Sequence, residues 1–388
     1  MRIFFSVGEP SGDQHAARLI LALQRRQPDL EFSGYGGPKM AEAGCDINYE
    51  LTNLAVVGIF RVIPLLWQFY SLVKRAERMF RESPPDAVVL VDFPGFNWWI
   101  ARKAKAAGIP VFYYLPPQLW GWATWRIKRM RKFVDHILCG LPFEPKWYAE
   151  RGLHAEYVGH PFFDDVAESR LDEAFCRKAQ ADYRRIVGVL PGSRNHEVES
   201  NFPLQIDLME QVAARHPDVH FLVACYKERH RERCQKMLAS RPRSLPVELC
   251  LGRTPEIIEA SDCCVMVSGS VSLEMLARAK PAVVLYRVSP LTYALVRPLV
   301  HVNSITLPNL IAGRRLMPEW MPVLRPDRTV REMAAVVNEW IGSPYQLAQV
   351  ARELRQLRAE IGQPGATGRT ADRILSHLAP VDRVRAAA

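Results

Sequence analysis

Short runs of β-branched and aromatic residues, each closed by a turn and followed by a helical pattern, recur along the whole chain. Parallel strands joined by helical crossovers leave this alternation in a sequence. In the first half the expected strands are Arg2 to Val7, Ala87 to Asp92, Pro110 to Leu115 and His136 to Cys139. Behind the first of them, Ala16, Leu19, Ile20 and Leu23 share one helix face. A second series runs Ile186 to Leu190, Val219 to Cys225, Val247 to Leu251, Asp262 to Val267 and Ala282 to Tyr286. The expectation is an α/β protein with two Rossmann-like domains, over 1–163 and 186–343, a linker and leading helix over 164–185, and C-terminal helices and tail over 344–388. At 388 residues the chain is long enough for two cores. Leu347, Val350, Leu354 and Leu357 form one apolar helix seam that needs a partner surface.

A net charge of +10 attracts polyanions without choosing among nucleic acid, anionic lipid and a phosphorylated substrate. The eight cysteines show no CxxC pairing and sit in apolar stretches, so neither a disulfide framework nor a zinc site is indicated. Met1 to Val7 reads as a strand rather than a secretory leader, which points to the cytoplasm. The most apolar region, Leu54 to Val73, is broken by Gly58, Arg61, Pro64 and Gln68, and a bilayer-spanning helix is not expected there.

Several turns carry chemistry. Gly8-Glu9-Pro10-Ser11-Gly12-Asp13 lies between a strand and a helix, where backbone amides can approach a ligand and Ser11 or Asp13 can cap; an ordinary capped turn reads equally well. Gly34-Tyr35-Gly36-Gly37 lacks the third glycine of a dinucleotide site and no P-loop lysine follows, which removes support for NAD or ATP. Asp92 ends its strand beside Phe93-Pro94-Gly95-Phe96-Asn97 and is the best general-base position in the chain, against a plain turn aspartate as the alternative. Leu190-Pro191-Gly192-Ser193-Arg194 sets a cation beside a strand-to-helix loop, able to hold a leaving diphosphate with help from loop amides. Ser268-Gly269-Ser270-Val271-Ser272-Leu273-Glu274 is a second such turn, with Glu274 placed to accept from ribose hydroxyls. Asn309, in Leu307-Pro308-Asn309-Leu310, offers an amide for a pyrophosphate or base, or serves as a turn residue. His196-Glu197-Val198-Glu199-Ser200 lacks the second histidine of a zinc-protease helix. The aromatic and basic residues from Phe112 to Lys132 read as a single-strand nucleic-acid surface, as a lipid-headgroup contact, or as core packing beside a solvated helix face.

These motifs occur in the order found in lipid-A-disaccharide synthases, and the chain resembles that family from its first strand to about Gly368. The resemblance is carried by Gly8 to Asp13, Gly34 to Met40, Val57-Gly58-Ile59, Asp92 to Asn97, Pro117-Gln118-Leu119-Trp120-Gly121-Trp122, Leu141-Pro142-Phe143-Glu144, Gly159-His160-Pro161, Leu190 to Arg194, Ser268 to Glu274 and Leu307 to Leu310. It implies a GT-B glycosyltransferase, with two domains facing each other across a cleft and C-terminal helices packing back towards the N-terminal domain. The implied reaction inverts the sugar without metal or cofactor: a UDP-2,3-diacylglucosamine donor and a 2,3-diacylglucosamine 1-phosphate acceptor give a β-1,6-linked disaccharide and UDP. By the same resemblance Asp92 is the base, and Gly192, Ser193, Arg194, Ser268, Gly269, Ser270, Glu274 and Asn309 bind donor. Glu9, Ser11, Gly12, Asp13, Asn97 and Gln118 bind acceptor. The apolar run from Leu54 holds acyl chains or rests on the cytoplasmic face of the inner membrane, no nucleic-acid partner is expected, and a homodimer is. Departures from the family pattern fall at Arg61, at Gly121 and over Pro318-Glu319-Trp320-Met321-Pro322, and they bear on acyl-chain or sugar preference. Two other readings compete: a UDP-sugar epimerase of the same fold, which would need no acceptor, and a non-catalytic membrane- or RNA-binding protein.

Overall fold

The computed structural model describes residues 1–54, 65–300, 302, 304–323 and 326–379. Arg61, the Val57-Gly58-Ile59 motif and the tail from Pro380 lie outside the described residues. The chain forms two compact units, Met1–Asp164 joined by the segment from Pro364 onward, and Asp165–Gln363.

The first unit holds a parallel sheet of β1 (Arg2–Val7), β2 (Glu31–Gly36), β3 (Asp46–Glu50), β4 (Ala87–Val91), β5 (Val111–Tyr114), β6 (His136–Cys139) and β7 (Glu156–Tyr157), in the order β3-β2-β1-β4-β5-β6-β7. Its central strands β4 and β5 are buried along their whole length, and β1 from Ile3 onward, because both faces are covered. Ile3, Phe5 and Val7 face one core together with Ala16, Leu19, Ile20 and Leu23 of α1 (Pro10–Arg26). Phe4, Val88 and Leu90 face the other, under helices that follow α2 (Pro38–Glu42), namely α3 (Leu66–Glu82) and α4 (Pro94–Ala106). The C-terminal helix, Ala366–Leu378, places Ala371 and Ile374 in the α1 core. Asp164 fastens its start by accepting from the amides of Gly365, Ala366 and Thr367 at 2.5, 3.1 and 2.8 Å.

The second unit repeats the pattern with β8 (Arg185–Leu190), β9 (Val219–Cys225), β10 (Val247–Leu251), β11 (Cys263–Val267), β12 (Ala282–Leu285) and β13 (Glu319–Trp320), in the order β10-β9-β8-β11-β12-β13. Helix α5 (Asn195–Arg215) follows β8, α6 (Val271–Ala277) follows β11, and α7 (Leu307–Ala312) precedes β13. The helical seam that reads as a dimer surface is covered from within: Leu347 and Val350 pack on this unit's core, and Leu354 and Leu357 are buried. All eight cysteines are buried free thiols. Among the described residues, no helix is long and apolar enough to cross a membrane.

Candidate active site

In an open parallel sheet, ligands gather at the carboxyl ends of the strands where the strand order reverses. In the first unit that point lies between β1 and β4, so the Gly8–Asp13 loop and Asp92 meet there. The turn after β4 is sharp: Asp92 and Phe93 have φ of 46° and 45°, left-handed values that cost a side chain-bearing residue about 1–3 kcal/mol each. Buried Asn97 holds the turn, its Nδ2 donating to the carbonyls of Ser6, Val91 and Asp92 at 3.1, 3.2 and 2.8 Å while its Oδ1 accepts from Ser6 Oγ at 2.7 Å. The Tyr113 hydroxyl donates to the Asp92 carbonyl at 2.8 Å. Phe93 lies over Gly8, where a Cβ would come within 2.2 Å of its ring. The alanine that would ordinarily be tolerated at a loop start is therefore excluded at Gly8.

This frame leaves the Asp92 carboxyl half-buried, with its backbone fixed and its pKa pushed from 3.8 to about 7. Burial is the larger cause, followed by the negative charges of Glu9 and Glu144. Glu144 is itself buried and raised to about 7 by desolvation, against bonds from Trp120 Nε1 at 2.9 Å and the Leu141 amide at 3.0 Å. A carboxylate poised near neutrality takes and gives a proton at physiological pH, which is what a general base requires.

The remaining first-unit candidates divide into two groups. Glu9 is half-buried, and Ser11 and Gln118 are exposed. Asp13, Gly12 and Asn97 are buried, and the two polar side chains bond backbone groups. The Asp13 carboxylate accepts from the amides of Gly37, Lys39 and Met40 at 2.9, 3.0 and 3.1 Å, tying α1 to the start of α2. Gly12 lies buried against Val7, whose side chain a Cβ would meet at 3.0 Å.

In the second unit the order reverses between β8 and β11, bringing Pro191–Arg194 beside Ser268–Ser270. Ser193 and Arg194 are exposed, and so are Gly269 and Ser270. Two of the loop amides are engaged within the turn: Glu197 Oε2 accepts from Ser193 N at 2.9 Å and from Arg194 N at 3.1 Å. Gly192, at φ 116°, permits this closure, since a Cβ there would fall 2.6 Å from the Glu197 Cβ. What remains for an anion is the Arg194 guanidinium, 55% exposed and making one 3.3 Å contact with Glu197 Oε1.

Ser268 donates to the Ile305 carbonyl at 2.7 Å and joins this turn to the segment leading into α7. Glu274 is buried and faces Arg278 at 3.2 Å instead of an open surface; burial raises its pKa and Arg278 opposes the rise. Asn309 is likewise consumed, donating to the Met317 carbonyl at 2.7 Å and accepting from the amides of Leu316 and Met317 at 2.8 Å each. Asn309 thereby fixes the loop after α7, whereas Glu274 pairs with Arg278 four residues on. Glu319, within the departing Pro318–Pro322 stretch, completes that work by accepting from the amides of Ile305 and Thr306 at 3.1 Å. A cavity of about 510 Å³ in this unit, lined by Arg184, Asp262, Lys280 and Arg355, lies at the amino ends of the strands, away from these turns.

The aromatic and basic segment also divides. Tyr113, Tyr114 and Trp120 are core residues, whereas Trp122 and Trp125 are exposed with the Arg126 guanidinium 4.8 Å and 5.9 Å from their ring centroids.

Comparison with known proteins agrees with this geometry. The family model for lipid-A-disaccharide synthetase matches residues 3–337. The chain belongs to the lipid-A-disaccharide synthetase family. It is 36% identical over 375 residues to the lipid-A-disaccharide synthase of Anaeromyxobacter dehalogenans (strain 2CP-C), an alignment covering 96% of this chain and 97% of that one. Solved structures share the fold at low identity. MurG of Acinetobacter baumannii is 15% identical with a TM-score of 0.56, and covers 97% of this chain and 99% of its own. The UDP-GlcNAc 2-epimerase of Neisseria meningitidis bound to UDP-GlcNAc is 12% identical with a TM-score of 0.61, over 97% and 99%. The architecture is thus GT-B, a fold shared by transferases and epimerases, and family membership rather than fold separates the two.

Three further carboxylates, each within a motif quoted above, had no role assigned from the sequence. Glu144, Glu197 and Glu319 all bind backbone amides, so their partners are not visible as residue types. For Glu197 a signal did exist: a glutamate three residues after the helix start, able to reach back to the cap amide.

Proposed function

We propose that this glycosyltransferase of lipid A biosynthesis uses Asp92 as general base and Arg194 as countercharge to the departing nucleotide. The acceptor is a 2,3-diacylglucosamine 1-phosphate and the donor a UDP-2,3-diacylglucosamine. The acceptor's 6-hydroxyl oxygen attacks the anomeric carbon from the face opposite UDP, and the hydroxyl proton passes to the Asp92 carboxylate. The bond to the β-phosphate oxygen breaks with its electron pair on UDP, where the Arg194 guanidinium meets the growing charge. One observation carries the reading: the carboxyl at the first switch point sits in a turn held rigid by Asn97 and Tyr113, where burial pushes its pKa up to about 7.

The described end of the apolar run supports contact with a membrane surface. Leu66, Trp67 and Tyr70 of α3 are 56%, 78% and 53% exposed. Phe69 of the same helix packs inward on Phe93 and Phe96, with centroids 6.1 and 5.6 Å away, so the face offered to lipid is one residue layer from the Asp92 turn. Aromatic side chains of this kind favour the headgroup layer, and the exposed Trp122–Arg126–Trp125 group suits it as well. A peripheral position on the cytoplasmic face of the inner membrane follows. The proposed homodimer rests on the family resemblance, because the seam that suggested it is covered.

The test is UDP release by the purified protein with EDTA present. Release that requires both acylated sugars supports transfer; conversion of the UDP-sugar without acceptor identifies an epimerase instead.

A further inference from the structure

A second group of chemistry-bearing side chains lies at the other end of the first sheet. His136 opens β6, Glu156 opens the neighbouring β7, and His377 sits in the last turn of the C-terminal helix. Because the strands are parallel, these amino-end positions lie opposite the carboxyl end that carries Asp92. One ligand-capable atom from each of the three residues falls within 4.8 Å of the other two. The imidazoles stack with centroids 3.9 Å apart and planes 29° from parallel, which sets their ring nitrogens side by side. His136 is backed by Phe112 at 4.5 Å. Glu156 Oε1 lies 2.7 Å from His377 Nε2, while Oε2 faces Arg373 Nε at 3.1 Å. The carboxylate therefore turns one oxygen to the imidazoles and has the other oriented by a cation.

We propose that His136, Glu156 and His377 bind a divalent transition metal of the zinc type, with water completing a four-coordinate site. Two imidazoles and one carboxylate are a common zinc donor set, and coordination requires the stacked rings to turn until one nitrogen of each converges with Glu156 Oε1 on the ion. The first unit gains a staple from such a site. Its C-terminal helix returns after the whole second unit has intervened, and is held by Asp164, by Arg369 donating to the Val158 carbonyl, by the Arg26–Asp372 ion pair and by packing on α1. A metal shared by β6, β7 and this helix ties the returning segment to the sheet edge, and its role is structural rather than catalytic.

The experiment uses the untagged full chain, stripped with EDTA and titrated with Zn²⁺ and with Co²⁺. The expected result is one Zn²⁺ per chain, a Tm that rises with Zn²⁺ concentration, and the intense visible absorption of four-coordinate Co²⁺. His377→Ala and Glu156→Gln should each weaken Zn²⁺ binding roughly tenfold or more while leaving UDP release in EDTA unchanged. No Tm response up to roughly 100 μM Zn²⁺, or Zn²⁺ binding undiminished in a folded His136→Asn/His377→Ala double variant, overturns the proposal.

Discussion

The two sheets order their strands alike and differ in the charge they present where that order reverses. At the first switch point, Asp13 and Asn97 are spent on backbone amides and carbonyls, and Asp92 remains among other carboxylates. At the second, Glu197 and Asn309 do the same holding work, and the Arg194 guanidinium remains exposed. Both units thus use buried polar side chains to fix their loops and leave one charged side chain at each turn, a carboxylate in the first and a guanidinium in the second. The proposed reaction roles rest on those two groups.

The comparison breaks first at Arg194. Arg194→Ala should lower kcat about 10²–10³-fold, and Arg194→Lys should recover only part, since an ammonium keeps the charge without the bidentate fork. Steady-state kinetics on both variants with unchanged kcat would remove the cation from the account. Next come the holding residues. Asp13→Ala strands three amides, two of them buried, and should cost about 2–4 kcal/mol, read as a lowered urea midpoint. Asn309→Ala should cost about 1–3 kcal/mol by the same measurement. A raised KM with unchanged stability would instead make either one a substrate contact.

The smallest effect concerns pH. With Asp92 at about 7, kcat/KM should fall with unit slope below that value, because the base must be ionised. Its folded pKa lies above the usual 3.8, so the stability it contributes is full below the unfolded value and lost as pH rises through about 7. Asp92→Asn should therefore gain stability over the parent as pH rises from about 4 to about 7, and keep that gain above it. Glu144→Gln removes a charge that raises Asp92, and the acid limb should move to lower pH. A limb caused by a substrate phosphate would stay in place, so pH profiles of the two proteins separate the causes.

Much of the fold was legible because the central strands are buried on both faces and read as unbroken apolar runs, as in Ala87–Val91 and Cys263–Val267. The strands missed are those without such a run. β2 carries glycines at 34 and 36, β3 is an edge strand of mixed polarity, and β7 and β13 have two residues each. Asp92 and Arg194 were visible because each follows a strand at a turn. The inward turn of Asn97 and Asn309 was not visible, since it depends on which backbone groups each loop leaves unpaired, whereas Glu274 pairs with Arg278 four residues on. The His136–Glu156–His377 group has no local spacing at all and exists only through the return of the last helix to the sheet.

The central claim is that Asp92 removes the acceptor proton, and Asp92→Asn tests it most directly when the rate of disaccharide formation and UDP affinity are measured on the same preparation. The account predicts a loss of about 10²–10⁴-fold in rate with UDP affinity unchanged. A variant that forms disaccharide at the parent rate would contradict it.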